Sequence, residues 1–407
     1  MRHYLAALAG ALLIVAPALR GLLGFSEFLY FFLAIALFNF AVLSNRNWSV
    51  NSWQLSWWFF LFLLFIYLLA TSFPFRNYRE VLIAGCFLIS SLGIGILCSL
   101  SWSEKFFHTI AWIIIFSGSA LSLIVLYGFM KTEGDYRKLF NEDALGYLAL
   151  GSFISLAFCI ALPFVFTDSG KKKLLWLLVL FINGLGFITV LSRGALLFSG
   201  LVGTLYMIYY WPQRKTIKKV ISSLAARLIA MALAGYFVFT LIPARTLSRL
   251  QRLFLGDEIQ AGGRGEIWAQ SLNKILQAPV LGHGLGEASV VNIYPHNLFL
   301  QVGIDGGITG IILLMIVVSI PLAIFYKAWA QSIIIRDPLP AAFLAAYLWA
   351  LLEGSKSGDF YKARPLFIIA SLLIGYLSLL YRMKRDRAIP MTKELQVKIF
   401  QLGDGKE

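Results

Sequence analysis

Charged side chains are scarce in this chain, making up 14% of 407 residues against 59% that are hydrophobic. A soluble globular domain devotes about a quarter of its residues to charge, so this composition, with a mean hydropathy of +0.78, excludes that class. Cysteine is rarer still. Cys86, Cys98 and Cys159 all fall inside apolar runs, and no disulfide framework or thiolate metal site can be built on them. Histidine occurs four times. Also missing is the polar–apolar alternation of barrel strands; unbroken runs of Leu, Ile, Phe and Ala take its place, which selects helices.

Those runs recur from end to end, each about 18–22 residues long and sufficient to cross roughly 30 Å of hydrocarbon. They lie near 4–19, 25–43, 56–73, 80–100, 107–129, 144–166, 174–191, 194–211, 226–243, 298–326, 340–353 and 365–381. The expected fold is therefore an all-α polytopic membrane protein of about twelve transmembrane helices. Residues 1–243 would hold the first nine helices and 244–297 one large outside loop with an amphipathic helix. Residues 298–381 would hold the last three helices, and 382–407 a basic tail. The first run also reads as a cleaved signal peptide, because Arg2 precedes an apolar stretch ending in small residues. Cleavage would leave the other spans oriented as before.

Acidic residues are outnumbered, 20 against 35 Lys and Arg, for a net charge of +15. With the N-terminus inside, cytoplasmic segments hold Arg2, Arg46, Lys105, Lys171 to Lys173, a cluster from Arg214 to Arg227, Lys327, Arg336 and the tail. Over the short loops the bias is about two to one in favour of that side, which places both termini in the cytoplasm. The excess charge is thus an inner-leaflet signature, supplemented by attraction to anionic headgroups. Nucleic acid is not an expected partner.

Outside basic residues run against this preference. Arg20, Arg76 and Arg79 read as headgroup contacts, and Phe73, Phe75 and Tyr78 nearby as interfacial anchors or the lining of a lateral opening. Arg193 differs, standing in Leu191-Ser192-Arg193-Gly194-Ala195, a tight turn between two spans. It either caps helix carbonyls or binds an anion at the membrane surface, for which the guanidinium fork suits phosphate oxygens.

The 244–297 segment begins with Arg245, Arg249 and Arg252 and passes through Gly262-Gly263-Arg264-Gly265. Ile267, Trp268, Leu272, Ile275 and Leu276 then recur at helical spacing until Pro279, predicting an amphipathic helix that lies in the interface or covers the bundle. Gly282-His283-Gly284-Leu285-Gly286 superficially matches a dinucleotide fingerprint, but no strand precedes it. Its glycines suit a sharp turn back toward the membrane, and His283 is a loop histidine or a substrate contact. Tyr294-Pro295-His296-Asn297 follows where a span meets water. A histidine there either bonds a backbone carbonyl or marks a site, since polar groups at such depth are costly. Tyr294 and Asn297 are candidate substrate contacts beside it.

Five segments occur in order: Ser192-Arg193-Gly194-Ala195, Arg264-Gly265-Glu266-Ile267-Trp268, Ala278-Pro279-Val280-Leu281-Gly282-His283-Gly284, Pro295-His296-Asn297-Leu298-Phe299-Leu300-Gln301 and Gly306-Gly307-Ile308-Thr309-Gly310. On this hydropathy profile the set resembles the bacterial O-antigen ligase and polymerase superfamily, which includes O-antigen ligases, O-antigen polymerases and protein O-oligosaccharyltransferases. The resemblance implies an enzyme of the bacterial inner membrane with a periplasmic active site, functioning in lipopolysaccharide biosynthesis. Its donor would be a glycan on undecaprenyl pyrophosphate, and in the ligase branch its acceptor a sugar hydroxyl of lipid A–core oligosaccharide. Carried onto this chain, the resemblance makes Arg193 and Arg264 donor-pyrophosphate ligands and His296 the general base. Preorganised arginines neutralise a leaving pyrophosphate without a metal, and an imidazole near pH 7 suits removal of a hydroxyl proton. No Asp-x-Asp pair occurs, and Glu142-Asp143 and Asp257-Glu258 read as solvated loop pairs. The expected reaction needs no metal or other cofactor and inverts the anomeric centre. The family's asparagine-containing stretch before the sixth span is only loosely matched by Asn141-Glu142-Asp143-Ala144, so Asn141 is given no role.

Two alternatives remain open. A polymerase or protein O-oligosaccharyltransferase would share the donor and differ in acceptor. A lipid-linked oligosaccharide flippase would show related halves, broken helices and ionisable groups near the midplane. The sequence shows no clear repeat.

Overall fold

Long apolar runs without water to satisfy their amides become helices, and every regular element among the described residues is one. The computed structural model describes residues 2–23, 33, 50–72, 98–100, 102–132, 146–190, 198–205, 264–286, 295–331, 333, 337–357 and 363–388. The helices are α1 (Arg2–Leu23), α2 (Ser52–Thr71), α3 (Glu104–Lys131), α4 (Gly146–Thr167), α5 (Gly170–Val190), α6 (Arg264–Gln277), α7 (Leu298–Ala330), α8 (Pro338–Ser357) and α9 (Arg364–Ala388). Six have stretches long and apolar enough to cross a membrane: those in α2, α3, α4, α5, α7 and α9. The expected spans at 25–43, 80–100, 194–211 and 226–243 lie wholly or mostly outside the described residues, as does the loop before Arg264.

Neighbouring helices are held by ring packing and by small polar clusters. Trp176 of α5 stacks on Phe164 of α4 at 4.8 Å and lies 4.9 Å from Trp112 of α3. Asn183 of α5 donates to Ser119 Oγ of α3 at 2.9 Å and accepts from Ser122 Oγ at 3.2 Å, all three residues being buried. Such hydrogen bonds join helices where the hydrophobic effect is weak, because lipid is as apolar as the side chains it replaces. At the start of α2, Asn51 and Gln54 cap each other's backbone N–H groups, and the Gln54 amide donates to the Ser99 carbonyl.

Contacts at the helix ends sort the bundle into two poles. At one pole, His3 of α1 meets Trp102, Trp53 of α2 meets Tyr381 of α9, and Lys327 of α7 lies over Trp53. Lys384 donates there to the Gln331 carbonyl. The opposite pole holds the end of α2, the starts of α4 and α7, and the end of α8. There Ser72 meets Leu285, Ser152 meets Glu353, and Leu298 packs on Gly354. Helices α1, α2, α3, α5 and α8 thus run in one direction and α4, α7 and α9 in the other. Alternating spans at the expected positions would run in these directions.

Candidate functional site

The second pole is built around α7, whose 33 residues would extend about 50 Å at 1.5 Å per residue. It does not run straight. Gly307, with φ +62° and ψ −160°, breaks it. The turn after α6 pairs with that break through backbone bonds: His283 N–H donates to Ile304 O (2.9 Å), Gly284 N–H to Asp305 O (2.8 Å) and Ile308 N–H to Pro279 O (2.8 Å). Tyr67 of α2 spans the seam, its hydroxyl bonding Val280 O (3.1 Å) and Gly306 O (2.9 Å). The approach is so close that a Cβ at Gly282 would sit 2.5 Å from the Asp305 carbonyl carbon, and one at Gly307 2.6 Å from the Val280 carbonyl carbon. Gly282 also has φ +72°, a backbone region costly for any side chain.

Pro295, His296 and Asn297 lead into the first turn of α7. Asn297 is its N-cap, Oδ1 accepting from Phe299 N (2.9 Å) and Leu300 N (3.1 Å). Trp268 of α6 donates its indole N–H to Pro295 O at 2.9 Å. Between these two anchors His296 adopts φ +49°, the one non-glycine residue with positive φ among those described. Strain of this kind persists only where surrounding contacts over-determine it, and it collects at functional sites. His296 is half-buried. Leu298, two residues on, is fully buried against Gly354 of α8.

His283 stands at the seam, its Nε2 2.8 Å from Lys274 O, so its ring ties the turn to the end of α6. Arg264 is the first residue of α6, one helical turn before Trp268, and its side chain lies outside the described residues. Arg193 and Tyr294 also lie outside them. The chain leaves α5 at Val190, at this same pole, three residues before Arg193. Among the described residues no three His, Cys, Asp or Glu side chains are grouped as metal ligands would be.

The structure adds residues that the motif reading passed over. Asp305 and Gln301 are buried just before the α7 break. Glu353 of α8 accepts from Ser152 Oγ at 3.0 Å, while its other carboxylate oxygen is buried with no hydrogen-bond partner among the described residues. The rule that ionisable groups in apolar spans mark sites would have found Asp305 and Glu353. Nothing in the sequence marked Trp268 as the link to Pro295.

Asn297→Ala should lower stability by about 1 kcal/mol through loss of the cap, and Asn297→Asp should restore it. The midpoint of thermal unfolding in detergent measures both. An unchanged midpoint for the alanine variant would show that the cap is dispensable.

Apolar helices of alternating direction, with the distinctive polar groups at one pole, define a multi-pass helical membrane protein. Residues 176–315, which include most of α5 and all of α6, the seam, His296 and the α7 break, match the family profile described as O-Antigen ligase. Over that third of its length the chain is similar to the O-antigen ligase family. It is also similar to a Rickettsia conorii (strain ATCC VR-613 / Malish 7) protein whose name proposes a polysaccharide ligase. The two are 24% identical over 226 residues, which is 49% of this chain and 52% of the relative. The chain thus spans about half the length of that curated relative.

Proposed function

We propose that the chain is a glycosyltransferase that moves a glycan from undecaprenyl pyrophosphate to a sugar hydroxyl of lipid A–core, at the periplasmic face of the bacterial inner membrane. The observation that carries this reading is His296, held at positive φ between the Trp268–Pro295 bond and the Asn297 cap. A backbone fixed in this way presents an imidazole that would take the proton of an acceptor hydroxyl as the new glycosidic bond forms. Arg264 and Arg193 would hold the departing pyrophosphate. Arg264 shares the helical register of Ser271 and Ile275, the buried positions of α6, and α5 ends at the same pole before Arg193. Lys105, Lys171 to Lys173, Lys327 and Lys384 belong to the opposite pole, supporting a cytoplasmic assignment for that end.

A break in α7 is also what a flippase would use, with freed backbone groups gathering a substrate or ion. Here the seam consumes them, since Ile304, Asp305 and Ile308 bond the turn at 279–284. The enzyme reading accounts for that closure better.

The test is glycan transfer by the purified protein with prenyl-pyrophosphate-linked donor and candidate acceptors, run with and without chelator. Product on lipid A–core is the expected result. Chain growth on the prenyl carrier would make the protein a polymerase, and loss of turnover with chelator would end the metal-free mechanism. Arg264→Ala and Arg193→Ala should each weaken donor binding by about 10- to 100-fold, the worth of one charge-assisted contact. Titration with labelled donor measures this, and unchanged affinity in both variants would remove them from the donor site.

A further inference from the structure

Helix α6 has three sectors rather than the two of an ordinary surface helix. Taking Ser271 as origin and 100° per residue, Ile275 lies at about +40° and Ile267 at about −40°. Ser271 and Ile275 are buried, and Ile275 packs beside Ile304 and Leu300 of α7. Glu266, Gln270, Asn273 and Gln277 fall between about −100° and −160°, a wholly polar sector. Trp268, Leu272 and Leu276 fall between about +60° and +140°. Leu272 and Leu276 face neither the bundle nor the polar side, Leu276 being 71% exposed, while Trp268 stands at the edge of this sector.

The exposed apolar sector continues beyond α6. Val280 and Leu281 in the following turn are 62% and 60% exposed. Pro279 and Val280 abut α7 at Gly307 and Ile308 through the 2.8 Å backbone bond from Ile308 to Pro279. Ile308 begins the outward stripe of α7, with Ile312 and Met315 at the next helical positions and Ile312 54% exposed. That stripe belongs to a helix apolar and long enough to cross a membrane, and bilayer hydrocarbon is what surrounds such a face. A soluble protein rarely leaves so large a contiguous apolar patch to water.

From this continuity we infer that Leu272, Leu276, Val280 and Leu281 form a lipid-seated face, immersed in the hydrocarbon margin of the leaflet that surrounds α7. The polar sector of α6 then faces water and the third sector packs on α7. Trp268 stands at the border of the lipid-seated face and also bonds Pro295. The same helix that rests on lipid therefore sets the height of His296 above the hydrocarbon, where a lipid-linked substrate presents its head.

A genetically encoded fluorescent amino acid at Leu276, Leu281, Gln270, Asn273 or Ile312 tests this in the otherwise unaltered chain, reconstituted in phosphatidylethanolamine–phosphatidylglycerol vesicles. Lipids brominated on the acyl chain report hydrocarbon, and iodide reports water. Labels at Leu276 and Leu281 should be quenched by bromolipid to within twofold of the label at Ile312, and several-fold less by iodide than labels at Gln270 and Asn273. Iodide quenching at Leu276 equal to that at Gln270 would overturn the inference. So would protection of Leu276 from both quenchers, which would mean that protein covers the face. No glycan donor enters the measurement, so its outcome is separate from the fate of the transferase reading.

Discussion

Replacing His296 by alanine should reduce glycan transfer by about 10²- to 10⁴-fold, the usual contribution of a positioned general base, while donor binding changes little. On the proposed reading the imidazole would act on the acceptor hydroxyl, whereas the donor would be held by arginines in other segments. A purely structural role must be separated from this one, because His296 occupies the left-handed region at φ +49°. Asparagine tolerates that region better than most residues but provides no base. His296→Asn should therefore keep the turn, the Trp268–Pro295 bond and normal stability, yet be as inactive as the alanine variant. If His296→Asn transfers glycan at the wild-type rate, the side chain is needed for the turn and the proton must go elsewhere. Single-turnover transfer with preloaded donor is the appropriate measurement, since it excludes product release.

Gly307→Ala should be the most disruptive small substitution at this pole. The added methyl would meet the Val280 carbonyl at 2.6 Å on a residue with φ +62°. Strain and overpacking together cost roughly 2–4 kcal/mol. Transfer should also fail, because α7 could not keep its break and the seam, and α6 with Trp268 would lose its seat. Gly265 provides the contrast. A Cβ there meets nothing within 4 Å, so Gly265→Ala in α6 should be neutral or slightly stabilising, by up to about 1 kcal/mol. Thermal unfolding in detergent, paired with the transfer assay, compares the two. Equal midpoints for Gly307→Ala and wild type would mean that the turn is not clamped to α7 as described.

How far the site could be read from sequence depends on the distance over which each interaction acts. The spans at 56–73, 107–129, 174–191 and 298–326 were legible because a run of apolar residues has only helical solutions in lipid. The amphipathic helix opening at Arg264 was legible from its spacing, as was the turn-forming use of the glycines after Pro279. His296 drew attention because a histidine after proline at a span boundary is chemically out of place. In contrast, the expected 298–326 span is a helix broken at Gly307, and the reason lies in a turn more than twenty residues earlier. Asn297, expected as a substrate contact, spends its side-chain oxygen on the first turn of α7. His283 spends one ring nitrogen on Lys274. Neither bond could be forecast from the motif, because each depends on where a partner backbone arrives.

Composition and periodicity, acting through the cost of exposing amides and charges to hydrocarbon, determined by themselves that this chain is a bundle of membrane helices with its unusual polar residues near one end. The tertiary structure decided which of those residues meet. It seals the α7 break against the turn at 279–286, hangs Pro295 from Trp268, and holds His296 in a backbone state it would rarely adopt alone. Such close approaches depend on backbone atoms of distant segments, and the order of side chains along a chain does not encode where those atoms will stand.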